Sequence, residues 1–174
     1  PHSWPEDLME ILREFLASKG EDVTIDDIYG VLLARFSDFI DHKLSVASSE
    51  LSYRRRAPST ALTYGDCFLR CAIESGECFS ASAKYHFELQ PFQMFGTVVD
   101  SLAAIDQLVM REKRLTLSRL IEATEANFEG FYDVFALCRK AEKYGSDTPH
   151  ANAHVARLAE GYCQRVVDKS RPYF

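Results

Sequence analysis

The sequence predicts a mainly α-helical protein with several helices and at most one short strand. In several stretches the apolar residues recur about every 3.6 residues, which is typical of a helix with one buried face. Start and stop signals for helices flank these stretches. No internal repeat, low-complexity tract or clear linker interrupts the chain, so we expect a single helical domain over residues 1–174.

The first two helices have recognisable boundaries. Pro5, followed by two acidic residues, is predicted to open the first helix, and Gly20 to close it as a C-terminal cap. Thr24 and Asp27 resemble a capping box at the start of the second helix, with Asp in place of the usual Glu or Gln. A long apolar stripe then predicts a helix that continues to about Leu51.

The middle of the chain is predicted to be less regular. A break is expected over residues 52–60, followed by a third helix over residues 60–75 that Gly76 terminates. Residues 84–89 alternate between polar and apolar side chains, which indicates a short extended segment. The buried residues expected in the third helix are Leu62, Cys67, Phe68, Cys71 and Ala72.

The second half returns to helical periodicity. One wide apolar face predicts a helix over residues 98–112, and Thr116 is predicted to cap the next helix, which ends or bends at Gly130. Residues 131–139 form a further helix or its continuation, and a last helix is expected over residues 150–169. The buried face of that last helix is predicted to carry Val155, Leu158, Ala159, Cys163 and Val166.

Composition and charge limit the classes of function. The net charge is -6 and 47% of the residues are hydrophobic, as in a globular protein. Nucleic-acid binding needs extended basic surface, whereas the basic run at residues 54–56 is short and indicates a solvated loop or an anion-facing turn. No apolar run approaches the roughly 20 residues of a membrane span, and no targeting segment opens the chain. We therefore expect a cytoplasmic protein without a nucleic-acid or membrane partner.

The cysteines do not predict a metal site. Their odd number, five, without a secretion signal is typical of free thiols in a reducing compartment. Cys67, Cys71 and Cys78 have the spacing C-x3-C-x6-C, which matches neither common zinc patterns nor the C-x3-C-x2-C of radical-SAM clusters. We interpret Cys67 and Cys71 as small core residues one helical turn apart.

Other combinations of reactive residues are weaker still. His150 and His154 are four apart on one helix face, as in a metal-binding pair, but no third ligand is evident and a surface position is the commoner outcome. Cys138 or Cys163 could be paired with His154 as a nucleophile and base, although two such residue types meet often by chance. Asp100 and the serine after it predict a buried hydrogen bond near a helix start. We assign no catalytic, cofactor-binding or metal-binding residue.

Several short motifs occur in the order found in one enzyme family. Residues 72–76 (A-I-E-S-G) resemble a C-I-E-x-G turn, and residues 80–85 (S-A-S-A-K-Y) stand where that family has G-G-A-K/R-Y. Residues 99–105 (V-D-S-L-A-A-I) are close to its V-A-D-S-L-A-A-I helix, and residues 143–147 (K-Y-G-S-D) to its K-Y-G-N-D. Over about residues 23–168 the chain thus resembles the late portion of glycyl radical enzymes, the pyruvate formate-lyase-like group.

This resemblance implies a fold and a chemistry. The segment would be part of the helical shell around a ten-stranded α/β barrel. The whole enzyme would be a radical lyase, dehydratase or decarboxylase acting on a small organic substrate under anaerobic conditions. The motifs lean toward the diol dehydratase, amine lyase and arylacetate decarboxylase side of the family. The implied cofactor is a glycyl radical installed by a radical-SAM activating enzyme, and the implied partners are that enzyme and the remainder of the enzyme or a second copy.

The reactive groups of the family are not found among these residues. No glycine lies in the R-V-x-G-[FY] loop that carries the radical, and no cysteine lies in G-C-x-E. Ala81 and Ser82 replace the paired glycines before A-K-Y, which leaves the substrate class open, and Tyr85 and Phe87 are candidates to line a cavity. The chain begins without Met, so we expect a fragment that supplies scaffold and is inactive alone.

Two alternatives remain. The chain could be a non-catalytic helical interaction module derived from that scaffold, which binds a partner through apolar residues such as Phe36, Phe39 and Phe95. Less expected is a stand-alone thiol enzyme, which would need one cysteine of unusual reactivity.

Overall fold

The computed structural model describes residues 3–56, 63–82 and 92–172. Within these ranges the regular elements are all helical, which confirms the mainly α prediction. The predicted extended segment at residues 84–89 lies outside the described residues. The α-helices are α1 (Trp4–Lys19), α2 (Ile25–Arg56), α3 (Arg70–Ser75), α4 (Phe79–Ser82), α5 (Phe95–Ile105), α6 (Leu117–Glu125), α7 (Tyr132–Lys140) and α8 (Pro149–Ser170), with a 3-10 helix at Tyr64–Phe68 and a π-helical segment at Asp106–Arg111.

The chain forms two compact units. The larger unit contains Pro1–Phe36 and Phe92–Arg165, and the smaller contains Ser37–Pro91 and Val166–Phe174. In the larger unit, α1 packs on α5 and on α6, and α6 contacts α7. In the smaller unit, α3 contacts the 3-10 helix and α4. Among the described helices, none combines the length and apolar character needed to cross a membrane.

An aromatic cluster lies in the core of the larger unit. The Phe36 ring meets Trp4, Phe92 and Tyr162 edge to face, with centroid separations of 4.3, 4.9 and 5.4 Å. Trp4 and Phe92 also stack at 5.6 Å. Phe36 is 0% exposed, so it does not belong to the exposed apolar face that an interaction module would use, because α1, α2, α8 and the segment before α5 enclose it.

The strongest helix prediction is confirmed with one change. All the residues predicted to share its apolar face are buried: Val98, Leu102, Ala103, Ile105, Leu108 and Val109. The α-helical part ends at Ile105, and the chain continues as the π-helical segment. A π turn contains one more residue than an α turn. Leu108 and Val109 lie within this segment and are both buried.

Side-chain caps fix the helix starts as the sequence indicates. Thr24 N–H donates to the Asp27 carboxylate at 3.0 Å, and Asp27 N–H donates to Thr24 Oγ1 at 3.2 Å, which is a complete capping box. Thr116 Oγ1 accepts from Arg119 N–H at 3.2 Å at the start of α6. A further cap comes from a distant residue, since the Glu21 carboxylate also accepts backbone N–H bonds at the start of α6, at 2.6 and 3.1 Å.

Two boundaries in the smaller unit differ from the prediction. The second helix does not break at residue 52 but continues to Arg56. The predicted third helix is divided at Leu69, whose φ and ψ of -104° and 122° are extended. Asp66 explains the division: its carboxylate accepts from Thr63 N–H at 2.6 Å and from Phe79 N–H at 2.8 Å. These bonds favour a short capped 3-10 helix over a continuous α-helix, because polar side chains near a helix start compete for backbone groups.

The burial predicted for that region is wrong in part. Cys67 is exposed, Phe68 is 70% exposed, and Cys71 is half-buried. Ala72 is buried as predicted, and Gly76 ends α3 in the left-handed conformation with φ 69°. Leu62 lies outside the described residues.

The buried face of α8 is rotated relative to the prediction. Leu158 is buried as expected, and Val155, Ala159 and Val166 are half-buried, but Cys163 is exposed. Tyr162 takes its place, because its larger ring fills the aromatic cluster around Phe36.

Candidate functional site

Three titratable side chains meet where the π-helical segment faces the first turns of α8. We call Asp106, His150 and His154 the His–Asp cluster. His150 Nδ1 lies 3.6 Å and His154 Nε2 lies 3.3 Å from the same oxygen, Asp106 Oδ2. The two rings stand at right angles with centroids 4.8 Å apart. One ligand atom from each residue lies within 4.8 Å of the other two.

The position of Asp106 depends on the π-helical segment. The side-chain amide of Gln107 makes two hydrogen bonds that stabilise this segment. Its nitrogen donates to the Glu112 carboxylate at 2.8 Å, and its oxygen accepts from Glu142 N–H at 3.1 Å. The backbone closes with a wide turn in which Glu112 N–H donates to Gln107 O at 2.9 Å. π-helical turns occur often at functional sites, because they shift the direction of side chains without ending the helix.

The surroundings of His150 fix its tautomer. An arginine side chain only donates and a carbonyl only accepts hydrogen bonds. Therefore Nδ1 of His150 accepts from Arg111 at 2.8 Å, and Nε2 donates to the Ala103 carbonyl at 3.3 Å. Nδ1 of His150 is therefore the ring nitrogen on the Arg111 side, and Nε2 is the one that faces α5.

His154 is buried, contrary to the surface position expected from the sequence, with 7% of its side chain exposed. Burial lowers its pKa, so the ring is neutral at pH 7. Nε2 then donates to the Asp106 carboxylate, and Nδ1 accepts from the Tyr29 hydroxyl at 3.0 Å. Burial also raises the pKa of Tyr29, which keeps this hydroxyl protonated. The Arg157 guanidinium covers the Tyr29 ring at 3.8 Å.

An apolar cavity lies elsewhere in the larger unit. It has a volume of about 430 Å³ and is lined mainly by apolar side chains of α1, α5 and α6. Two charged groups at its wall are already engaged: Lys143 Nζ donates to the Cys138 carbonyl at 2.6 Å, and Asp100 accepts from Tyr144 N–H at 2.6 Å. Asp100 therefore makes a hydrogen bond, but this bond is exposed and not buried as predicted. This cavity could accept an apolar group, but its described lining provides no activated nucleophile, since burial raises the pKa of the Cys138 thiol.

The structure separates the residues that the sequence singled out. The candidate cavity residues Tyr85 and Phe87 lie outside the described residues. None of the five cysteines forms a disulfide, and among the described residues Cys67, Cys71 and Cys78 do not form a group able to hold a metal ion. The structure does bring His150 and His154 together, and it adds Asp106, which sequence reasoning missed.

Comparison with known proteins gives one family. The family model described as pyruvate formate lyase-like matches residues 22–173. The isethionate sulfite-lyase of Bilophila wadsworthia (strain 3_1_6) is 52% identical over 61 residues, which are 35% of this chain and 7% of that protein. The (2S)-3-sulfopropanediol dehydratase of Klebsiella oxytoca is 26% identical over 139 residues, which are 79% of this chain and 16% of that protein. The trans-4-hydroxy-L-proline dehydratase of Clostridioides difficile is 30% identical over 99 residues, 56% of this chain and 12% of that protein.

The family model covers most of the chain. The chain belongs to the pyruvate formate lyase-like family of glycyl radical enzymes. The alignments span between 7% and 16% of the length of these relatives.

Proposed function

We propose that this chain is a scaffold portion of a pyruvate formate-lyase-like glycyl radical enzyme and does not turn over substrate alone. The observation that carries the proposal is a contrast. The family model matches residues 22–173, yet none of these residues forms the R-V-x-G-[FY] or G-C-x-E motif of the family. The enzyme's radical-bearing glycine and its reactive cysteine then come from outside these residues.

The positions of the glycines support this reading. A radical site in this family needs a glycine in its own loop, within reach of an activating enzyme. Gly76 ends α3, and Gly20 ends α1. The remaining glycines lie in turns (Gly130 and Gly145) or within helical segments (Gly30, Gly65, Gly96 and Gly161).

The chemistry of the cysteines supports it as well. Cys138 is half-buried and its pKa is raised by burial, which lowers the fraction of reactive thiolate. Cys67 and Cys163 are exposed, where a thiyl radical would meet solvent instead of an enclosed substrate. A stand-alone thiol enzyme therefore has no support from the described residues.

The proposed whole enzyme is a cytoplasmic, anaerobic radical lyase, dehydratase or decarboxylase for a small organic substrate. Two of the relatives are named for sulfonates and one for hydroxyproline. All three are small polar molecules, so we propose a substrate of that size class. The proposed partners are a radical-SAM activating enzyme and the remaining part of the enzyme.

A chimera tests the scaffold role. The 139 residues of this chain that align with the K. oxytoca (2S)-3-sulfopropanediol dehydratase replace the aligned segment of that enzyme, and the chimera is incubated anaerobically with a glycyl radical activating enzyme and S-adenosylmethionine. We expect a glycyl radical signal in electron paramagnetic resonance, as in the unmodified enzyme. The same chimera with Phe36→Ala serves as a control for a disrupted core. A chimera that is folded and soluble but forms no radical contradicts the proposal.

A second candidate is the non-catalytic interaction module. In the smaller unit, Tyr64, Phe68 and Ile73 are 82%, 70% and 65% exposed. Apolar side chains grouped within one short stretch favour association with another surface. Light scattering bears on this candidate, because a monodisperse monomer over a wide concentration range disfavours both a sticky fragment and an obligate dimer.

A further inference from the structure

We propose that the His–Asp cluster is a binding site for a divalent transition metal ion of the zinc class. Asp106, His150 and His154 would supply the three protein ligands, and water would complete the coordination. This site is independent of the radical chemistry discussed above, because it involves no glycine or cysteine of the chain.

The donor set and its spacing fit such an ion. Two imidazole nitrogens and one carboxylate oxygen are ligands typical of open zinc sites. Ligand atoms around a tetrahedral zinc with bonds of about 2.0–2.1 Å are separated by roughly 3.3–3.4 Å. The distances from Asp106 Oδ2 to His154 Nε2 and to His150 Nδ1 are 3.3 and 3.6 Å, and all three ligand atoms lie within 4.8 Å of one another. The three side chains are between 7% and 14% exposed, so the site is shielded but reachable.

Each histidine is also held by its outer nitrogen. Metal-ligating histidines commonly use their second ring nitrogen in a hydrogen bond that fixes the ring. His150 Nε2 donates to the Ala103 carbonyl at 3.3 Å, which leaves Nδ1 unprotonated and ready to bind.

His154 needs one proton shift, and its neighbours permit it. When a metal binds Nε2, the ring proton moves to Nδ1, which then donates to the Tyr29 oxygen at 3.0 Å. The Tyr29 hydroxyl hydrogen turns to the His154 carbonyl, which lies 3.4 Å away. Tyr29 therefore acts as a positioning residue for either tautomer.

Arg111 competes with the metal. Its guanidinium donates to His150 Nδ1 at 2.8 Å, so it occupies one ligand position of the metal-free cluster. The side chain of Arg111 is exposed and can move into solvent. Removing it should therefore strengthen metal binding, an effect opposite to that of removing a ligand.

The test is a titration of the 174-residue chain with Zn²⁺ alone, measured by isothermal titration calorimetry. We expect one Zn²⁺ per chain, and a loss of affinity of more than about 100-fold in His154→Gln and in His150→Gln, since loss of even an outer partner costs about 10–100-fold. Tyr29→Phe should weaken binding by about 10–100-fold. His42→Gln, an exposed histidine of α2 outside the cluster, should leave the affinity unchanged.

The arginine variants give a second, oppositely directed result. Arg111→Gln should tighten binding by about two- to tenfold, the equivalent of one lost hydrogen bond of ordinary strength. Arg114→Gln, which removes an exposed arginine from the same stretch, is the matched control and should change nothing.

Two further measurements keep the result clear. Circular dichroism must show the native helix content in each variant, and His150→Gln, at the more exposed ligand, remains informative if His154→Gln unfolds. Co²⁺ in place of Zn²⁺ should give a spectrum without the charge-transfer bands of thiolate ligands. Binding weaker than a Kd of about 1 mM, binding insensitive to the histidine variants, or thiolate bands in the Co²⁺ spectrum would each overturn the proposal.

Discussion

Replacing Phe36 with alanine should remove a large part of the stability of the larger unit. The side chain is 0% exposed and touches three aromatic rings edge to face. A buried Phe→Ala change costs about 3–5 kcal/mol, and each aromatic pair adds about 0.5–1.5 kcal/mol beyond burial, so we expect the upper end, about 4–5 kcal/mol. A domain of this size has roughly 5–15 kcal/mol in total.

The assay is urea denaturation followed by two probes. Circular dichroism reports the helices, and fluorescence of Trp4, the one tryptophan of the chain, reports the cluster itself because its ring lies 4.3 Å from Phe36. Phe15→Ala is the control, since Phe15 is half-buried on α1 and lies under Lys19 at 5.4 Å. We expect the control to lose about 1 kcal/mol. Equal losses for the two variants, with unchanged tryptophan emission in Phe36→Ala, would refute the reasoning.

Three other predictions concern caps and thiols. Glu21→Ala should cost about 0.5–2 kcal/mol in urea denaturation, because the carboxylate caps α6; no loss in this variant would contradict the cap, and Glu21→Gln, which keeps an acceptor oxygen, separates the hydrogen bonds from the charge. Hydrogen bonds from Lys19 and from the start of α2 lower the pKa of Asp27 from 3.8 to about 2. The ionised form therefore stabilises the fold, so the difference in stability between the native chain and Asp27→Asn should shrink as the pH falls from about 5 to about 2. Iodoacetamide should alkylate the exposed Cys163 faster than Cys138, whose pKa is raised by burial, and equal rates would contradict the described burial.

The parts of the fold that follow from local chemistry were predictable from the sequence. The capping box of Thr24 and Asp27 needs only residues three apart, and it is present. The buried face of α5 is a run of apolar residues at helical spacing, and no competing signal interrupts it. Gly20 and Gly76 end their helices as expected, because positive φ is readily adopted by glycine.

The parts that depend on distant contacts were not predictable. The third helix is divided because Asp66 accepts from Phe79, a residue 13 positions away. The face of α8 was misjudged between Cys163 and Tyr162, since both are apolar enough and only the aromatic cluster decides between them. The α-helical spacing of residues 98–112 also gives no sign of the π-helical segment.

The His–Asp cluster shows the same limit at the level of a site. The spacing of His150 and His154 is visible in the sequence and correctly suggested a pair on one face. Their third member, Asp106, is 48 positions before His154. An acidic residue at that distance is one of many in the chain, and only the packing of the π-helical segment against α8 identifies it.

The most direct test of the scaffold role is to ask whether the isolated chain can itself hold the radical. The 174-residue chain, with a glycyl radical activating enzyme and S-adenosylmethionine, is incubated without oxygen and examined by electron paramagnetic resonance. Our account expects no glycyl radical on the chain. A doublet that collapses to a single line when the chain is made with α-deuterated glycine would place the radical on one of its own glycines and contradict the account.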